Sequence, residues 1–71
     1  MTQTVAFGPE LRRWRETRRL SQLALAGSAE VSQRHLSYLE TGKSRPSREM
    51  VLHLGRTMEL SLRDQNGLLA A

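Results

Sequence analysis

Four serines punctuate this chain. Ser21, Ser32, Ser47 and Ser61 each stand immediately before a stretch whose apolar residues recur at helical spacing. A serine so placed accepts a backbone N–H from the first turn and fixes where a helix begins. At the front, Gly8-Pro9 reads as a further start. Pro9 then takes the first helical position, where its missing N–H costs nothing, and Glu10 lies near the positive end of the helix dipole. These starts predict five helices: Pro9 to about Arg19, Gln22 to about Ser28, Gln33 to Thr41, Arg48 to about Glu59, and one from the Ser61-x-x-Asp64 capping box to about Leu69. Gly42 sits where a helix C′ glycine belongs. Pro46 biases Arg45 away from helical angles, so residues 43–46 form a loop. No segment alternates with period two, and the predicted class is all-α.

Helices shorter than ~12–15 residues are marginal alone in water, so these must fold together. Seventy-one residues make one small domain. With no cysteine, neither a disulfide nor a thiolate zinc site can staple it. The hydrophobic share of 38% implies a small core. The periodic positions predict that core as Leu11, Trp14, Leu20, Leu25, Ala26, Val31, Leu36, Leu39, Val51, Leu54, Met58 and Leu62. Residues 1–6 read as a flexible polar lead and 7–71 as the domain.

The charge balance narrows the partners. Eleven Lys plus Arg oppose seven Asp plus Glu, a net charge of +4, and only Lys43 among the cations is not Arg. Arginine presents a flat fork of donors that matches phosphate. Nucleic acid is the first polyanion to consider and an anionic membrane surface the second, with Trp14 as its anchor. The first helix has too few apolar residues beside Trp14 and Leu11 for the membrane reading. No run of ~18 apolar residues could span a bilayer, and the start shows no secretory signal, which fits a cytoplasmic protein.

The most informative stretch is residues 21–42. Two short helices, within a motif over 22–41, are split by a turn of three or four residues. Leu25, Ala26, Val31, Leu36 and Leu39 stand where the two helices would touch, and Ala26 is small enough for close approach. The stretch resembles the helix-turn-helix domain of the phage-repressor type, the Cro and CI repressor or XRE family with its lambda-repressor-like five-helix fold. The resemblance rests on Ser-Gln-x-x-Leu-Ala at Ser21 to Ala26, Val31-Ser32, Leu36, Leu39-Glu40-x-Gly42, Pro46 and the Val51/Leu54 helix. It covers roughly Leu11 to Leu68. One departure is Glu30, where the family usually has a turn glycine.

The resemblance implies a transcriptional regulator that binds specific double-stranded DNA. The helix from Gln33 would lie in the major groove and the helix before it would brace against the backbone. At 100° per residue, Gln33, Arg34, Ser37, Tyr38 and Thr41 share a face opposite Leu36 and Leu39, and all five can form hydrogen bonds. The base-reading positions fall on Gln33, Arg34, Ser37 and Tyr38. Phosphate contacts are expected from Gln22, Ser32, Thr41, Lys43, Arg45 and Arg19. Arg15 and Glu40 match a structural ion pair tying the first helix to the recognition helix. His35 lies at the edge of the outward face and suits either a phosphate or the core. His53 is expected on an exposed face.

A regulator of this kind is expected to act as a homodimer. The apolar end Leu68-Leu69-Ala70-Ala71 suits either a dimer seam or continuation into a C-terminal ligand-sensing domain of a longer parent chain. The alternative reading keeps the fold and makes it an antitoxin-like or other protein-interaction module. Two distant histidines and no cysteine build no metal site, and nothing suggests a catalytic triad or a glycine-rich phosphate loop. No enzyme activity, cofactor or metal is expected.

Overall fold

The computed structural model describes residues 6–71. The five helices are α1 (Phe7–Thr17), α2 (Gln22–Ala29), α3 (Gln33–Thr41), α4 (Arg48–Thr57) and α5 (Leu62–Ala70), and no strand occurs among the described residues. Of the lead at residues 1–6, only Ala6 falls within the described residues, as the extended N-cap of α1. All four serine caps form. The Oγ atoms of Ser21, Ser32, Ser47 and Ser61 accept the backbone N–H groups of Ala24, His35, Met50 and Asp64 at 2.9, 3.0, 3.0 and 3.1 Å.

Helix ends depart from the sequence expectation, for a common reason. α1 begins at Phe7, which places Pro9 at the third position, where a backbone N–H would still lack an intrahelical partner. It stops at Thr17 because Arg19 turns left-handed at φ 57°, and the Leu20 N–H returns to the Arg15 carbonyl at 3.0 Å. α2 runs to Ala29. Glu30 then takes φ 59°, and the Val31 N–H reaches the Ala26 carbonyl at 3.0 Å. α4 stops at Thr57 rather than Glu59, because Glu59 takes φ 57° and the Leu60 N–H reaches Gly55 at 3.0 Å. Each is a Schellman closure without its usual glycine, and each is followed by an apolar residue that folds back onto the core.

α1 packs on α3 and α5, α2 packs on α3 and α4, and α4 packs on α5. Between them Leu11, Leu25, Leu36, Leu39, Leu54 and Leu68 are fully enclosed. Val51, Met58 and Ala26 are buried as expected, whereas Trp14, Leu20 and Val31 are only half-buried against the cluster. Leu62 is not core: it is 74% exposed. It opens α5 roughly 120° around the helix from Leu68, and its place is taken by Leu68 and by Leu60 in the preceding turn. Phe7 and Ala29 are also buried. His53 is half-buried, with its Nε2 2.7 Å from the Ala29 carbonyl, so it ties α4 to the end of α2 instead of facing solvent.

Gly8 explains how closely α1 can approach α3. A Cβ there would press into the Glu40 carbonyl and lie 2.9 Å from the Leu39 carbonyl oxygen.

Candidate nucleic-acid interface

α3 is amphipathic by construction. Leu36 and Leu39 are buried, while Gln33, Arg34, Tyr38 and Thr41 are exposed and Ser37 is half-buried. Ser32 fixes the start of the helix and Gly42, at φ 83°, ends it. The three residues between α2 and α3, Glu30 to Ser32, form the turn, with the half-buried Val31 packed against the core. Glu30 adopts the left-handed conformation that a glycine would take more easily.

The end of α3 is locked to α1 and α2 through one carboxylate. Arg15 donates from Nε to Glu40 Oε2 at 2.6 Å and from Nη2 to Oε1 at 3.2 Å. Its Nη1 donates to the Leu20 carbonyl at 2.8 Å. The side chains are 11% and 4% exposed, so this pair sits largely out of water. The hydrogen bond to Glu40 raises the Arg15 pKa, opposed by burial and reinforced by the charge of Glu40. The guanidinium therefore stays charged at every working pH. Gln22, the first residue of α2, donates its amide to Glu40 Oε1 at 3.0 Å. No local signal in the sequence announces that contact, because eighteen residues separate the two.

The remaining candidate residues lie in α3 itself, at the start of α2, in the loop after α3 and at the corner after α1. Gln22 approaches the C-terminal half of α3 through Glu40, so the start of α2 lies beside that end. The Ser44 N–H returns to the Tyr38 carbonyl at 3.2 Å, which folds the loop carrying Lys43 back over α3. Lys43 Nζ lies 5.5 Å from the centroid of the Tyr38 ring. The Thr41 hydroxyl donates to the Ser37 carbonyl at 3.0 Å. Arg45 is exposed farther along the loop, and Arg19 is exposed at the left-handed corner after α1. His35 is half-buried beside the cap.

Other arginines in and just after α1 are paired elsewhere. Arg12 pairs with Glu16 at 3.1 Å, and Arg13 pairs with Glu10 at 2.8 Å while lying 4.7 Å from the Trp14 ring centroid. Arg18 donates to the Glu59 carbonyl at 3.2 Å and so joins the ends of α1 and α4. Among the described residues no group of three or more His, Asp or Glu side chains could hold a metal ion, and no helix is long and apolar enough to cross a membrane.

Comparison with curated proteins and with solved structures returns no match. Comparison with protein families matches residues 6–68 to the Helix-turn-helix domain. That match covers every helix but the last two residues of α5, and it is consistent with the phage-repressor type. The chain belongs to the helix-turn-helix family, whose work is binding DNA.

Proposed function

We propose that this protein is a transcriptional regulator that reads a specific double-stranded DNA site with α3 in the major groove, acting in the cytoplasm as a homodimer on a near-palindromic operator. The observation that carries this reading is the outward face of α3: polar, exposed, and flanked by free hydrogen-bond donors and cations. A nine-residue helix is about 13 Å long, comparable to the ~12 Å width of the major groove.

Gln33 pairs with an adenine edge and Arg34 forks onto guanine O6 and N7. Ser37 and Tyr38 reach the neighbouring bases. The phosphate contacts differ in what each has left to give. Ser32 uses its oxygen on the His35 N–H and keeps its hydroxyl proton for a phosphate. Gln22 gives one amide hydrogen to Glu40 and keeps the other. Thr41 has its proton on the Ser37 carbonyl and must rotate before it can donate. Arg19, Lys43 and Arg45 supply charge, and a dimer doubles them. Half-sites then lie about one helical turn, ~34 Å, apart.

Selection from a random duplex library, followed by titration at several salt concentrations, tests the proposal. Six cations per dimer give a log–log salt slope of about −5. Arg34→Ala relaxes preference at one base pair, by about 1–3 kcal/mol, and leaves the salt slope nearly unchanged. Lys43→Ala weakens all duplexes evenly and makes the slope shallower by about 0.9 per copy. Failure of a verified dimer to enrich any sequence would falsify the reading.

A further inference from the structure

The described residues leave a half-open cleft of about 550 Å³ on the side of the molecule where α1 begins and α5 ends. Its size falls within the range of small-molecule sites, ~300–1,000 Å³. Phe7, Leu39, Val51 and Leu69 give it apolar walls, and Arg45 and Arg48 stand among its lining residues. Both arginines are exposed, and neither forms a salt bridge or side-chain hydrogen bond among the described residues. The cleft thus joins an apolar floor to two uncommitted guanidinium groups, which is complementary to an apolar body ending in a carboxylate. No Asp or Glu side chain is among its lining residues, and Ala71 brings the α-carboxylate of the 71-residue chain.

We propose that this cleft binds a small amphipathic carboxylate. The alkyl or aromatic body lies against Phe7, Val51 and Leu69, and the carboxylate sits between Arg45 and Arg48. Gly42 and Ser44 line the same space, so the ligand touches the loop that closes α3. Binding therefore takes Arg45 away from phosphate and lowers affinity for DNA. That second effect rests on the DNA reading above, whereas ligand binding does not.

Octanoate, octanol and acetate serve as probes, titrated into the 71-residue chain and followed by amide chemical shifts. Octanoate shifts the amides of Gly8, Gly42, Ser44 and Val51 saturably, with a dissociation constant of about 1 mM or below. Octanol binds several-fold more weakly, and acetate leaves the spectrum unchanged. Arg45→Ala with Arg48→Ala weakens octanoate about tenfold and leaves octanol as it was. Neither side chain forms a hydrogen bond or salt bridge among the described residues, so the variant keeps the fold, which its own spectrum verifies. Equal binding of octanoate and octanol, or octanoate shifts centred elsewhere, overturns the carboxylate site. With the site established, duplex affinity falls as octanoate saturates it. An unchanged duplex affinity overturns the competition. Absence of any duplex binding refutes the DNA reading and leaves the octanoate result standing.

Discussion

Glu40 is the residue on which three helices converge. Its carboxylate accepts two hydrogen bonds from Arg15 of α1 and one from Gln22 of α2, and it is itself part of α3. Glu40→Ala leaves the Arg15 cation out of water without its partner, and we expect a loss of about 3–5 kcal/mol in urea unfolding. Arg15→Met combined with Glu40→Leu costs far less, since no unpaired charge remains. Equal losses for the single and double variants would show that packing, not charge, governs the site. The raised Arg15 pKa means that this contribution is fully present below the unfolded arginine value and is lost only as pH rises through the folded one, beyond ordinary working conditions. Leu60 and Leu62 make a second contrast. Leu60→Ala is expected to cost about 2–4 kcal/mol, because Leu60 is buried. Leu62→Lys, at an exposed position, should stay within about 0.5 kcal/mol.

At the scale of elements, the starts and the stops of the helices rest on different chemistry. Each start after α1 is written in one serine and realised by one local hydrogen bond. Three stops use Arg19, Glu30 and Glu59 in the left-handed region, a conformation that costs a residue with a Cβ about 1 kcal/mol. Glu30→Gly and Glu59→Gly should each raise stability by about 0.5–1 kcal/mol, read as a shift in thermal midpoint. Gly8 works in the opposite direction. Gly8→Ala forces a methyl against the Glu40 carbonyl, and backbone cannot yield as a side chain can. We expect about 1–3 kcal/mol of destabilisation, with the α1–α3 contact separating first in hydrogen exchange.

At the scale of the whole molecule, cohesion comes from connectivity among elements that are individually marginal. The chain has a radius of gyration of 11.2 Å, and five helices of eight to eleven residues share one leucine-rich core. No helix can leave without exposing its neighbours, so unfolding is expected to be a single transition seen identically by Trp14 fluorescence and far-ultraviolet dichroism. The net charge of +4 conceals a division of labour. Arg12, Arg13, Arg15 and Arg18 form internal ion pairs or hydrogen bonds, with Arg15 alone among them buried, while the exposed Arg19, Lys43 and Arg45 form neither among the described residues.

The sequence by itself determined the fold class, the number of helices, the starts of α2 to α5 and the polar face of α3. These depend on neighbours within about four residues, where capping and periodicity act. It also carried the resemblance that the match over residues 6–68 supports. Helix ends were less legible, because a left-handed Arg or Glu looks like any other Arg or Glu until the apolar residue after it has somewhere to pack. Tertiary structure decided the rest. It brought Gln22 to Glu40, turned His53 inward to the Ala29 carbonyl, and set Leu62 outside with Leu60 and Leu68 inside. It also drew Phe7, Val51 and Leu69 around one cleft beside Arg45 and Arg48. Contacts between residues eighteen or more positions apart follow from how the helices cross, and no local pattern encodes that.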